Sequence, residues 1–284
     1  MPFRAQTVAL LSGLLRLIFR WSSRDMTART AERSCLVLAP HPDDEVFGCA
    51  ATIMRKRDAG TPVTVAVFTD GRHSGGNLDH GTLVALRKAE SLAACRIMGI
   101  EDGAVVHYEF EDGCLNKAGT ALENAIADLV ASCSPDEVFV TSSSDAHDDH
   151  AALGAAARNV LSGTGTRLVV YPIWQWNFPR SWPGTLAATG RPEKVSTGGG
   201  YLRRKREAVH TYRSQLSVKV GGDMEIDGLG PEFVGDFLRT EEIFLPVAPT
   251  PAPGSPRGRE STFRRLMTRL AARLGPTDAA AIPR

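Results

Sequence analysis

An α/β domain built on a mostly parallel sheet is the fold class this sequence predicts, and two observations carry it. Short β-branched runs alternate with longer stretches of helical apolar spacing, the pattern of βαβ units with right-handed crossovers. Polar clusters also follow directly on the strand-like runs, and in open parallel sheets the ligand crevice lies outside the carboxyl ends of the strands. Taken in order, a strand over 35–39 runs into Ala39-Pro-His-Pro, whose two prolines hold the chain extended and forbid a helix before Asp43. A helix over 45–59 follows, then a strand over 63–69, a helix over 81–98 and a strand over 104–108. The alternation continues with helix 118–131, strand 137–141, helix 150–161, strand 167–171 and a last helix over 201–215. Asp43 and Asp44 follow the first strand, Asp70 to Ser74 the second and Asp145 to His150 the fourth, so three segments converge on one rim.

With 284 residues the chain exceeds the ~100–150 of a typical domain, and one large α/β domain with tails accounts for the length. Its 43% apolar and 23% charged residues exclude wholesale disorder and a fibrous repeat. Thirty-three basic against thirty-two acidic side chains leave a net charge of +1, which excludes a general polyanion binder, and no nucleic acid is expected as a partner. Five cysteines without a C-x-x-C pair form neither a disulfide framework nor a Cys-rich zinc site. They point to a reducing, cytoplasmic compartment, with Cys35, Cys49 and Cys95 as small core residues.

Residues 1–34 form an apolar and basic helical segment, 35–246 the α/β domain, 247–258 a proline-rich linker overlapping the run from Leu245 to Pro256, and 259–284 a basic amphipathic helix and tail. In the first segment Leu10, Leu14, Leu17, Ile18 and Phe19 crowd together but Arg16 and Arg20 interrupt them, so no ordinary transmembrane helix is present. In the last, Phe263, Leu266, Met267, Leu270 and Leu274 recur at helical spacing between Arg264, Arg265, Arg269 and Arg273. Each tail reads either as a helix docked on its own domain or a partner, or as a helix lying peripherally on the inner face of a membrane. Neither carries chemistry, so removing residues 1–24 and 257–284 is expected to leave a folded, active domain.

Chemistry concentrates in two segments. In His41-Pro-Asp-Asp-Glu45, His41 and Asp44 can point to one place, a half-set of ligands for a divalent ion, with Asp43 beside them uncoordinated. Taken alone, Asp43 and Asp44 would serve equally as helix caps. In His147-Asp-Asp-His150 two more histidines sit past a strand and at the mouth of a helix. His41, Asp44 and one of His147 or His150 complete a three-ligand catalytic set, leaving the other histidine for proton transfer or oxyanion stabilisation and Asp149 to orient it.

His41-Pro-Asp-Asp-Glu45 and His147-x-Asp-His150 together resemble the paired signatures of the LmbE or PIG-L family of zinc-dependent N-acetylglucosamine deacetylases. The likeness extends to Thr69-Asp-Gly71, Arg87-x-x-Glu90 and Lys205-x-x-Ala208…Tyr212-x-Ser214-Gln215, and so spans about 35–246. The resemblance implies a Rossmann-like three-layer α/β/α fold and hydrolysis of a sugar acetamide. It implies His41, Asp44 and His150 as metal ligands and Asp43 as general base. It implies His147 as the group that stabilises the transition state or protonates the amine, and Asp149 as its carboxylate partner. The cofactor expected is zinc, with iron(II) or another divalent ion as the alternative, and the partner an N-acetylated sugar substrate. The sequence departs from the family pattern where Arg72 follows Gly71, and where Asp145 stands at a position held by tyrosine in some relatives; both are expected to face substrate. Arg72 would bind a hydroxyl, phosphate or carboxylate, Trp176 and Trp182 the sugar ring, and Trp174 would lie in the core or the pocket wall. Competing readings are an amidase for another N-acyl or conjugate substrate, a two-metal phosphoesterase, for which the motifs supply too few carboxylates, and a non-catalytic sugar-binding membrane protein, which would not need Asp43.

Overall fold

The computed structural model describes residues 2–73, 78–178, 181–216 and 228–248. Its strands are β1 (Arg24–Asp25), β2 (Cys35–Ala39), β3 (Val63–Thr69), β4 (Val105–Phe110), β5 (Glu137–Val140), β6 (Arg167–Val170), β7 (Glu193–Ser196) and β8 (Glu241–Pro246). The five expected strand runs form a continuous parallel block, β6-β5-β2-β3-β4 in spatial order, that reaches one edge of an eight-stranded sheet. The helices are α1 (Pro2–Ser22), α2 (Asp44–Asp58), α3 (His80–Ile97), α4 (Thr120–Cys133), α5 (Asp148–Val160), α6 (Trp182–Ala188), α7 (Tyr201–Val209) and α8 (Pro231–Phe237). The sheet order is β1-β7-β8-β6-β5-β2-β3-β4. The chain runs outward from β2 through β3 to β4, then returns to the other side of β2 for β5 and β6. The carboxyl end of β2 is therefore the switch point where an open α/β sheet forms its crevice.

Side-chain alternation along the strands divides the core into two layers. Val37, Ala39, Val65, Val67 and Phe139 meet Val46, Ala50 and Ile53 of α2, Ala94 and Cys95 of α3, and Ala208 and Val209 of α7. Leu36, Leu38, Ala66, Phe68, Val138 and Val140 meet Leu122 and Ile126 of α4 and Leu153 and Ala157 of α5. Cys35, Cys49 and Cys95 are buried and unbridged, as small core residues.

Several elements differ from the sequence reading. Leu245 and Pro246 do not begin a linker: they end β8, which pairs antiparallel with β6 and β7, and Pro246 is tolerated because it stands at the strand's last position. The helix expected over 201–215 stops at Val209, and the following turns carry Tyr212 and Ser214 inward. The short, half-polar β7 and the seven-residue α8 had no periodic signal to announce them. For α1 the structure takes the docked reading on one side, since its inner face is part of the domain. Leu15 and Phe19 are buried in the first core layer, the Phe19 ring lying 4.6 Å from Trp182 and 5.7 Å from Trp176. Arg16 pairs with Asp236 of α8 at 3.1 Å and Arg20 with Glu241 of β8 at 3.1 Å. No helix among the described residues is long and apolar enough to cross a membrane. Ser74, the linker beyond Ala248 and the basic segment 259–284 lie outside the described residues.

Candidate active site

Beyond β2 the chain makes the turn its two prolines require, and Asp43 takes φ 133°, a strained backbone for a residue with a side chain. Several buried groups hold it there. The Asp43 N–H donates to Glu45 Oε2 at 3.1 Å, and the Tyr212 hydroxyl donates to the other oxygen of Glu45. Arg87 donates to the carbonyls of Pro42 at 2.9 Å and Gly71 at 3.0 Å, and its guanidinium stands 3.6 Å from Asp43 Oδ2. Gly71, at φ +67°, leaves the space that the Arg87 side chain occupies. Glu90 accepts from the N–H and hydroxyl of Ser214 at 3.0 and 2.6 Å. Buried Lys205 donates to Phe47 O and to Glu242, both at 2.7 Å, and Glu242 also receives the N–H groups of Ala51 and Thr52. The Arg87–Glu90 and Lys205–Gln215 motifs are thus scaffolding that fixes the His41–Glu45 loop.

His41, Asp44 and His150 converge. His41 Nδ1 lies 3.2 Å from His150 Nε2 and 3.4 Å from Asp44 Oδ2, and His150 Nε2 lies 3.2 Å from Asp44 Oδ2. Ligand atoms on bonds of ~2.0–2.1 Å at tetrahedral angles stand ~3.3–3.4 Å apart, so the three atoms fit one zinc-sized ion. The outer nitrogens of both rings face carboxylates, the usual support of a ligating histidine. His41 Nε2 meets Asp112 at 3.1 Å and Asp149 at 3.2 Å, while His150 Nδ1 faces Asp145 at 3.7 Å.

The electrostatics agree with the geometry. Burial pushes the His41 imidazolium down, but Asp112, Asp149 and Asp44 together raise its pKa well above the ordinary value. His150 is likewise raised to about 9, burial being outweighed by Asp44 and Asp145. Both histidines hold Asp44 below the usual carboxylate range against its burial. The carboxylates therefore call for two positive charges at this spot, the charge of a divalent ion, which would compete with those protons. Asp43 behaves oppositely. Burial raises it well above the usual range, Arg87 opposing and Asp44 adding to the rise.

His147 lies beside this trio, its ring centroid 4.7 Å from that of His41. Burial, then His150 and His41, lower its pKa to about 3. The Asp149 N–H donates to His147 Nδ1 at 3.2 Å. The Asp149 carboxylate, in contrast, does not hydrogen-bond His147 as expected. It accepts from His41 and from the N–H groups of Gly113 at 2.7 Å and Leu115 at 2.9 Å, and so braces His41.

Arg72 stands half-exposed on the rim, bound through Nε to buried Asp70 at 2.7 Å. Asp145 does not face substrate as expected but turns inward to His150. Trp176 and Trp182 also depart from expectation. Both are buried against Phe19, Trp182 with no exposed surface, so neither reaches a sugar in this structure. Trp174 is the tryptophan beside the centre, its ring 6.4 Å from His147 at 23° and 4.8 Å from Phe233. Trp174 and Trp176 share a 3₁₀ turn, in which residues two apart diverge. Asp112 belongs to neither histidine–aspartate motif. Its signal was its place directly after β4, on the same rim as the other clusters.

Fold and site define an α/β protein with a buried histidine–carboxylate centre at the switch point of a parallel sheet. Residues 36–161 match the family model PIG-L, GlcNAc-PI de-N-acetylase. A probable N-acetyl-alpha-D-glucosaminyl L-malate deacetylase 2 of Bacillus cereus is 32% identical over 197 residues, 65% of this chain and 84% of the relative. The chain belongs to the PIG-L family. Its fold is shared with the zinc-inhibited form of teicoplanin deacetylase Orf2, at TM-score 0.60 and 17% identity over 78% of this chain and all of that one. It is shared too with the 4-carboxy-2-hydroxymuconate hydratase GalB of Pseudomonas putida, at TM-score 0.55 and 15% identity over 80% of this chain and all of that one. Since a hydratase uses the same fold, the reaction must be argued from the site.

Proposed function

We propose that this chain is a divalent-metal-dependent N-deacetylase that hydrolyses the acetamide of an N-acetylated sugar conjugate, with zinc as the ion. The observation that carries the reading is the mutual spacing of 3.2–3.4 Å among His41 Nδ1, Asp44 Oδ2 and His150 Nε2, with Asp43 left over beside them. Membership in the PIG-L family and the similarity to a glucosaminyl malate deacetylase support the substrate class. An ion held by those three residues would supply a water of lowered pKa, near ~7, and polarise the acyl carbonyl.

The protein's own groups then handle the protons. Asp43 takes one from the attacking water, and its strained backbone and the nearby Arg87 aim the carboxylate without tying it to the ligand set. His147 accepts the Asp149 N–H at Nδ1, so the hydrogen of the neutral ring sits on Nε2, a donor for the developing oxyanion. With His147 committed to that hydrogen bond, protonated Asp43 is the donor to the departing amine. Trp174 and Phe233 give the pocket an apolar wall on the His147 side, and Arg72 offers a cation on the rim for a hydroxyl or an anionic aglycone.

The test is acetate release by metal-analysed protein from N-acetylglucosamine, an N-acetylglucosaminyl malate and an N-acyl amino acid. Release from the sugars, lost on chelation and regained with zinc, is expected. Release from the amino acid alone would replace the sugar with another acyl substrate, and no release from zinc-loaded protein would end the deacetylase reading.

A further inference from the structure

The N-terminal helix has two apolar faces, and the domain covers one. Ser12, Leu15 and Phe19 are buried and Arg16 grips Asp236, whereas Leu10 (75% exposed), Leu14 (46%), Leu17 (52%) and Trp21 (81%) form a stripe on the opposite side. Their spacing of four, three and four keeps the four side chains within one narrow sector of the helix. Soluble surfaces scatter single apolar residues, but a contiguous stripe ending in an exposed tryptophan marks a contact. Around Trp21 stands a basic collar. Arg20 and exposed Arg24 belong to the same segment, Arg191 Nε donates to Ser22 O at 3.0 Å, and Lys194 Nζ donates to Arg20 O at 3.0 Å. Asp25 and Glu241 lie among them, Glu241 paired with Arg20.

Charge selects the occupant. Residues 1–24 carry four arginines and no acid, and 257–274 carry six arginines against Glu260 alone. A second copy of this helix, or the chain's own C-terminal segment, would set like charges against like across the contact, which opposes pairing. An anionic lipid surface offers both the apolar depth for the leucines and the opposite charge for the collar, and tryptophan favours that interface. We propose that the Leu10–Leu14–Leu17–Trp21 face of α1 docks the protein on an anionic lipid surface.

The inner face of α1 is core, so deletion is the wrong probe and outward substitutions in the full chain are the right one. The measurement is co-sedimentation with vesicles of phosphatidylcholine alone and of equal parts phosphatidylcholine and phosphatidylglycerol, for wild type and Leu17→Glu/Trp21→Glu. Wild type is expected on the phosphatidylglycerol vesicles only, weakening with added salt. The variant, with an unchanged melting temperature, is expected to lose about tenfold or more in partitioning. No binding by wild type overturns the proposal, and so does equal binding to both vesicles. Undiminished binding by the variant overturns it by pointing to the C-terminal arginines, and a wild-type dimer that the variant abolishes overturns it by making the stripe a protein interface.

Discussion

Asp43 and Asp44 are neighbours in sequence with opposite electrostatics, and their difference sets the first expectation. Asp44 sits between two histidines and is held ionised; Asp43 faces Arg87 across 3.6 Å with its pKa pushed up by burial. Asp43→Asn is therefore expected to keep the metal and lose ~10²–10⁴-fold in kcat, read from acetate release and metal content on the same sample. A near-normal kcat would move the base elsewhere. Asp149 and His147 should separate in a way the sequence did not suggest. Because the Asp149 carboxylate braces His41, Asp149→Asn is expected to weaken zinc binding by ~10–100-fold. His147→Ala should instead lower kcat with metal affinity nearly unchanged. Zinc titration of both variants decides, and metal loss confined to His147→Ala would reverse the two roles.

At the scale of elements, α1 and the α2–α7–β8 contact carry the clearest consequences. Phe19 is fully buried against Trp182 and Trp176, so Phe19→Ala is expected to cost ~3–5 kcal/mol, measured from the denaturation midpoint. Deleting residues 1–24 should destabilise more, since it uncovers both tryptophans and strips Asp236 of Arg16. That runs against the expectation, drawn from the sequence, that the N-terminal segment is dispensable; a truncated protein with wild-type stability would restore it. Lys205 and Glu242 form a buried pair between α7 and β8 that also binds the α2 backbone. Lys205→Ala leaves Glu242 buried without its cation and is expected to destabilise by ~3–5 kcal/mol. Full activity of the surviving folded fraction would confirm that Lys205 supports the site without touching substrate.

Across the whole molecule, the candidate centre is a tie between loops that lie far apart in the chain. His41 and Asp44 follow β2, Asp112 follows β4 and His150 opens α5 after β5, so an ion at the trio would join two halves of the sheet at its switch point. A ligand that binds only the folded state stabilises it by mass action, about 2.7 kcal/mol at a hundredfold excess over Kd. Chelation should lower the melting temperature of the wild type and added zinc should restore it. His150→Ala should start low and respond to neither. Equal responses from the two proteins would place the ion elsewhere.

The five parallel strands and the two histidine–aspartate motifs were legible in the sequence because their signals are local. β-branched runs, the prolines flanking His41 and a three-residue spacing from His147 to His150 all act within one turn of chain. His150 could be preferred to His147 as the third candidate ligand only through family resemblance, and the 3.2 Å approach of its Nε2 to Asp44 is a product of β2 lying beside β5. The same dependence on distant chain explains what could not be read. Asp149 turned to His41 because the Gly113 and Leu115 amides hold its carboxylate from the β4 side, and Asp112 entered the site because β4 ends at the shared rim. Trp176 and Trp182 became core because α1 lies over them, leaving Trp174 to face His147. A residue's chemistry is written in its type and near neighbours; its partner and its exposure are set by whichever segment folding brings against it, and that is a property of the assembled sheet and helices alone.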